Sequence, residues 1–197
     1  MFNSTIDIHA NYFYMPFGPA ILDPKEVGLK RTSFTDIYVD KDTGIKWRKC
    51  LLFNTGWGQP EGFEKLPELK FNDLIKLALQ SNHETTTLSV RDEESNKYGA
   101  IAVIMERHIS ELIKFLQKNL GNKELFHNEL YRHNLTLFCF DAKEAKTNGG
   151  VGMKSYEDML NQHTKWHQIS EKVKEQVYQQ ESGDGSANVS GNQGTVL

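Results

Sequence analysis

Residues 33–53 constrain the fold most, because they have the pattern of a β-hairpin with two different faces. The runs SFTDIYV and IKWRKCLLF are rich in β-branched and aromatic residues, and the segment DKDTG separates them. Two such runs around a turn containing Asp and Gly are typical of antiparallel strands. We pair Val39 with Ile45 across the turn, and alternate residues then point to opposite faces.

In this register one hairpin face is apolar and the other alternates aromatic rings with cations. The apolar face, interrupted by Lys49, contains Thr35, Ile37, Val39, Ile45, Trp47, Leu51 and Phe53. The second face contains Phe34, Asp36, Tyr38, Lys46, Arg48, Cys50 and Leu52. We expect the first face to lie on a core and the second to be available for binding.

The second face predicts binding of single-stranded nucleic acid. Exposed rings stack on bases, at roughly 1–3 kcal/mol per base, and neighbouring cations neutralise phosphates. The predicted nucleic-acid-binding residues are Phe34, Tyr38, Lys46, Arg48, Lys49 and Trp57. The alternative is that the C-terminal helices cover this face and bury the rings. Arg48 would then pair with Asp36 across the strands.

Charge is unevenly distributed along the chain. The formal net charge of −3 and the isoelectric point near 6.2 are not typical of a nucleic-acid-binding domain. Residues 25–50, however, contain seven basic and four acidic side chains, which gives this segment a charge of +3. The local excess of cations therefore keeps an anionic partner among the expected ligands.

Hydrophobic periodicity predicts an α+β fold. Strands are predicted at 5–15, in the hairpin, and at 85–91, 100–106 and 135–141; helices at 71–81, 108–120, 123–132 and 155–179; and a loop at 54–69. Up to residue 106 this order matches an OB-fold, a barrel with a helix between its third and fourth strands, although the strand at 135–141 is additional. We predict a mostly antiparallel sheet or partial, OB-like barrel with three to four helices, one of them long and C-terminal.

The chain length of 197 residues fits a single domain. We place this domain at 1–180, with a sheet or barrel core at 1–106 and a helical, one-strand extension at 107–180. Residues 181–197 are rich in Gly, Ser and Asn, so we expect a flexible tail.

We expect a cytoplasmic protein without a signal peptide or membrane segment. The N-terminus lacks a basic region before an apolar run, and no stretch approaches the roughly 18 apolar residues of a membrane span. Cys50 and Cys139 lie in apolar runs and are expected to be reduced core residues.

No motif predicts catalysis, a cofactor or a metal site. His163 and His167 lie four residues apart on a predicted helix, but they lack the intervening Glu of a zinc-protease motif and a third ligand. We therefore expect a non-enzymatic protein with two alternative functions. The first is single-stranded nucleic-acid binding through the hairpin. The second is a protein-interaction module, such as an inhibitor, an immunity-type protein or a phage accessory protein.

Overall fold

The computed structural model describes residues 2–15, 22–32, 36–51, 61–81, 93–140 and 153–186. Within these ranges the chain forms five strands followed by six helices. The strands are β1 (Phe13–Tyr14), β2 (Leu29–Arg31), β3 (Ile37–Asp40), β4 (Lys46–Leu51) and β5 (Glu61–Lys65). The helices are α1 (Phe71–Gln80), α2 (Glu93–Arg107), α3 (Ile109–Asn119), α4 (Lys123–His127), α5 (Glu129–Phe140) and α6 (Met153–Ser186).

The strands form one open antiparallel sheet in the order β1-β5-β4-β3-β2. All four neighbouring pairs are antiparallel, which confirms the predicted α+β class and the antiparallel sheet. The OB-like barrel is not confirmed, because five strands of the described chain precede the first described helix. The helix count of six exceeds the predicted three to four.

Two apolar segments that were predicted as strands are helical. Residues 100–106 lie in α2 and residues 135–140 in α5. Every residue from 100 to 104 is buried, so this part of α2 has protein on all sides. A helix buried all round lacks a polar face, and its apolar run therefore resembles a buried strand in sequence.

The remaining elements agree in part with the sequence. Helices α1, α3 and α6 confirm the predictions at 71–81, 108–120 and 155–179, and the predicted short helix is divided between α4 and α5. The predicted strand at 5–15 pairs only at β1, and the predicted loop contains β5. The predicted strand at 85–91 lies outside the described residues. Helix α6 continues to Ser186, so the proposed domain boundary at residue 180 falls inside it.

Two buried clusters stabilise the structure. The larger lies among the helices, and the smaller covers one face of the sheet. Phe13 belongs to the larger cluster and its neighbour Tyr14 to the smaller. Because successive strand residues point to opposite faces, β1 joins the two clusters. The smaller cluster consists of Tyr14, Leu22, Val27, Leu29, Tyr38, Trp47 and Phe63.

Candidate binding surface on the hairpin

The hairpin pairs Val39 with Lys46, one residue away from the predicted register. The Asp40 N–H donates to the Ile45 carbonyl, and the Asp40 carbonyl accepts from the Gly44 N–H, both at 2.9 Å. Asp40 therefore faces two residues of the returning chain. Gly44 has a φ of +70°, the left-handed conformation that glycine adopts at such a bulge. This additional residue shifts every later strand pair by one position, so the predicted pairing of Val39 with Ile45 is wrong.

The register places Tyr38 opposite Trp47 on the buried face. Tyr38 is 7% exposed and its ring meets that of Phe63 edge-on, with the centroids 4.8 Å apart. Trp47 is 2% exposed and stacks on Tyr14 at 4.3 Å. The core position predicted for Trp47 is confirmed, whereas the outward position predicted for Tyr38 is wrong. Tyr38 belongs to the smaller core cluster and offers no free ring for stacking.

The opposite face of the hairpin carries basic and aliphatic side chains. Val39 lies between Lys30 and Lys46 across the strands, and Ile37 lies opposite Arg48. Lys30 and Lys46 are exposed, and the other three residues are half-buried. We call this surface the open face and define it as Lys30, Ile37, Val39, Lys46 and Arg48.

The other predicted site residues do not join this surface. Lys49 lies opposite Phe63, on the buried side of the sheet, and its ammonium pairs with the Glu61 carboxylate. Phe34 and Trp57 lie outside the described residues. Among the predicted residues that the structure describes, only Lys46 and Arg48 lie together on this surface.

Within the part of the chain that the structure describes, neither core extends to the aliphatic residues of the open face. Ile37 and Val39 are absent from both buried clusters and from the half-buried residues packed against them. Helix α6 packs on α3, α4 and α5, and the sheet meets the helices where β1 contacts α2. Among the described elements, the C-terminal helix therefore does not provide the predicted cover for this face.

A buried carboxylate lies beside the open face, where the sheet meets α2. Glu64 on β5 is 3% exposed and lies opposite Arg48, whose guanidinium binds its carboxylate. Arg107, at the end of α2, donates from Nη1 to both Glu64 oxygens at 3.0 Å. Two cations thus compensate the buried charge, as burial of a carboxylate requires. The predicted pairing of Arg48 with Asp36 is wrong, since Asp36 pairs with Arg31 at 3.8 Å.

A second, more exposed carboxylate contacts the same two arginines. Arg48 Nη1 lies 2.6 Å from Glu68 Oε1, and Arg107 Nη1 lies 3.6 Å from Glu68 Oε2. The Glu68 side chain is 50% exposed. Burial lowers the pKa of Arg48, but the hydrogen bonds that Arg48 donates to Glu68 and Glu64, together with their negative charge, outweigh burial and raise that pKa overall. Arg48 is therefore a permanent cation at the edge of the open face.

An open depression adjoins this cluster beside Lys46, which it shares with the open face. Its lining consists of Ile45, Lys46, Lys65, Leu66, Pro67 and Glu68. Lys65 Nζ lies 5.2 Å from the centre of the Tyr12 ring, in cation–π contact. Lys46 and Lys30 form no ion pair with any described residue. The surface therefore offers two free ammonium groups next to aliphatic side chains.

Three residues in or near the open face were not predicted from the sequence, although the sequence holds part of the signal for them: Lys30, Glu64 and Arg107. Lys30 lies in the basic segment, but its strand is only three residues long. Glu64 lies in EGFEK, part of the segment 54–69 that Gly and Pro residues predict as a loop. The alternation of Phe63 with charged neighbours is the pattern of a strand with one buried face. Arg107 ends a helix whose core segment had been predicted as a strand.

The predicted histidine pair lies on α6. His167 is exposed, and the side chain of His163 lies outside the described residues. Within the described ranges, no three His, Cys, Asp or Glu side chains are arranged to hold a metal ion. None of the helices described combines the length and apolarity of a transmembrane segment.

Comparison with models of known protein families, with curated proteins and with solved structures found no match. The chemistry of the open face is therefore the basis for the functional argument. The described residues of this face combine cationic and aliphatic side chains and include no exposed aromatic ring.

Proposed function

We propose that this protein is a non-enzymatic binding protein whose open face binds an acidic partner protein. The observation that carries the proposal is the position of Val39 between Lys30 and Lys46, with Ile37 opposite Arg48, outside both cores of the described residues. Protein interfaces combine an apolar centre with a polar rim, and complementary charge speeds association. Lys30 and Lys46 supply a positive rim, so the complementary partner surface is acidic and contains apolar side chains.

Single-stranded nucleic acid is the competing ligand, and the burial of Tyr38 counts against it. Stacking on aromatic rings supplies much of the sequence-tolerant affinity for single strands. With Tyr38 in the core, the described part of the hairpin offers phosphates only cationic contacts. Aliphatic residues such as Ile37 and Val39 contribute contact area to a protein interface but no stacking platform.

We place this binding in the cytoplasm. The positions of Cys50 and Cys139 in apolar runs suit a reducing compartment, where cysteines remain free. The interaction needs no cofactor, because charge and shape complementarity alone account for it.

The test compares one captured partner across matched variants. Proteins bound by the immobilised wild type are identified, and the partner is purified and titrated directly by calorimetry. Lys46→Glu and Val39→Glu should each weaken its binding at least tenfold, the effect of about 1.4 kcal/mol. Lys172→Glu, on the exposed side of α6, makes the same charge change and should leave affinity unchanged. Equal effects of Lys46→Glu and Lys172→Glu would contradict the proposal.

A titration with fluorescent oligothymidylate at two salt concentrations tests the competing ligand. Specific contact with phosphate predicts that Lys46→Ala reduces the slope of log K against log salt by about 0.7. Binding that has this dependence, together with no protein partner sensitive to Val39→Glu, would favour nucleic acid instead.

A further inference from the structure

Two glutamates share the Arg48–Arg107 pair, and their environments differ. Glu64 is almost completely buried, and each arginine hydrogen-bonds it. Glu68 is half-exposed and contacts the same two guanidinium groups from the solvent side. The arginine side chains are themselves 31% and 27% exposed, so solvent reaches this pair.

The two carboxylates are therefore held with different strength. Removal of Glu64 would leave two partly buried cations without their shared anion, which is strongly unfavourable. Ion pairs with half-exposed groups contribute little to stability, because water solvates the separated charges well. The Glu68 carboxylate can therefore separate from the two arginines at a small cost in free energy, whereas the Glu64 carboxylate stays bound to them.

Departure of Glu68 would leave Arg48 with Glu64 as its single ion-pair partner among the described residues, and Arg107 shares that carboxylate. Arg48 and Arg107 together carry two positive charges against the single charge of Glu64. Arg107 also lies near Glu106, with 3.6 Å between its Nε and a carboxylate oxygen, but Glu106 is itself half-exposed. Lys46 lines the same depression as Glu68, so an acidic chain bound beside the arginines also meets a free ammonium group.

We infer that Glu68 occupies the arginine pair in the free protein and that an Asp or Glu carboxylate of the partner replaces it on binding. The planar guanidinium groups suit this exchange, because they bind carboxylates through paired N–H donors. The inference rests on the proposed function and adds a specific position within it. Glu68 acts as an internal competitor that lowers the affinity of the open face for acidic chains.

A fluorescent oligoglutamate peptide tests the exchange in solution. Glu68→Gln removes the competing charge and should tighten peptide binding on the order of two- to fivefold, the range expected for one half-exposed ion pair. Glu175→Gln, at an exposed position on α6, changes the net charge equally and should have no comparable effect. The double variant Glu68→Gln/Lys46→Gln should lose the gain, since both residues line the depression.

The Nε–H resonances of Arg48 and Arg107 provide a second measurement that does not depend on affinity. Both should shift when the peptide is added to the wild type, and Glu68→Gln alone should also move them. Equal peptide binding by Glu68→Gln and Glu175→Gln, or arginine resonances that the peptide leaves unmoved, would overturn the inference. The inference would also be overturned if Glu68→Gln tightened the binding of oligothymidylate but not that of the peptide. The proposed function would survive each of these results if Val39→Glu still abolished partner binding.

Discussion

The ring of Phe13 in β1 lies directly on the backbone of Gly99 in α2. A Cβ atom on residue 99 would fall 2.3 Å from Phe13 Cγ and 2.6 Å from Phe13 Cβ, much closer than van der Waals contact permits. This contact brings the sheet against the helices, because β1 and α2 meet here and Phe13 belongs to the helical core.

We expect Gly99→Ala to destabilise the protein despite the higher helix propensity of alanine. Propensity alone would favour alanine by about 1 kcal/mol. Overpacking against Phe13 should outweigh this gain, so that the variant loses about 1–3 kcal/mol of unfolding free energy. Urea denaturation measures the loss. Gly121→Ala is the control, because Gly121 has open space around it and a φ of +76°. It should cost about 1–2 kcal/mol through backbone conformation alone. Phe13→Ala removes Cγ and Cδ1, two of the three closest atoms, so Gly99→Ala should cost less in that background while the cost of Gly121→Ala stays the same.

Asn96 anchors the N-terminal segment to α2, and its removal should release that segment. Its Oδ1 accepts from the Tyr12 and Phe13 N–H groups at 2.9 and 3.2 Å, and its Nδ2 donates to the Ile8 and Ala10 carbonyls. The residue is 1% exposed, so Asn96→Leu leaves these groups without their partner and should cost about 1–3 kcal/mol.

Hydrogen exchange distinguishes this loss from general destabilisation. The Tyr12 and Phe13 amides should exchange faster in Asn96→Leu, even at matched global stability. The control is Asn122→Ala, which removes the cap hydrogen bond to the Glu124 N–H and should cost about 1 kcal/mol. Unchanged exchange at Tyr12 and Phe13 in Asn96→Leu would show that the segment is held by other contacts.

The sequence predicted helices well where a polar face was present. In α3 an exposed and a half-buried residue separate Leu112 and Ile113 from Leu116, and in α1 the polar residues occupy the less buried positions. Gly121 follows α3 with the left-handed φ expected of a cap. Residues 100–104 have no polar face, and an apolar run of that length fits a buried strand and a buried helix equally.

The position predicted for Tyr38 is wrong because the observed strand register differs from the predicted one by a single residue. The sequence indicated the hairpin and its turn, but not the bulge at Gly44 that places two residues opposite Asp40. Because side chains alternate with a period of two, this shift moved Tyr38 into the core and separated it from Lys46 and Arg48. The ion pairs of Glu64 depend on β5 and α2, which are distant in sequence, so periodicity carries no signal for them.

Glu64 and Glu68 should differ sharply in their effect on stability. Glu64→Gln leaves Arg48 and Arg107 without their buried anion, and we expect a loss of about 1–3 kcal/mol, because both arginines keep some contact with water. Glu68→Gln should change stability by no more than about 1 kcal/mol. Urea denaturation of both variants measures the contrast. Similar losses would show that Glu68 is as firmly held as Glu64.

Glu111 should make α3 sensitive to acid. The carboxylate accepts a hydrogen bond from its own backbone N–H in the first turn, which lowers its pKa. Burial raises the pKa and so opposes this effect. A hydrogen bond with His108, at 3.4 Å, lowers the pKa further. A lowered pKa means that the folded state favours the carboxylate. Its contribution is therefore complete above the ordinary value of 4.5 and is lost as the pH falls through the lowered value. The difference in melting temperature between wild type and Glu111→Gln should shrink in acid. A constant difference across that range would contradict this origin.

Tyr38 and Val39 are adjacent on β3, and substitutions there test the register directly. In the structure Tyr38 packs against Phe63 in the smaller core, whereas Val39 lies on the open face. Tyr38→Ala should therefore cost about 3–5 kcal/mol, as removal of a buried aromatic ring does. Val39→Thr, on the open face, should stay within about 0.5 kcal/mol of wild type, because it leaves both cores intact. In the register with Val39 opposite Ile45, the two results would exchange, since Val39 would be buried and Tyr38 exposed. Urea denaturation of the pair thus distinguishes two strand alignments that differ by one residue.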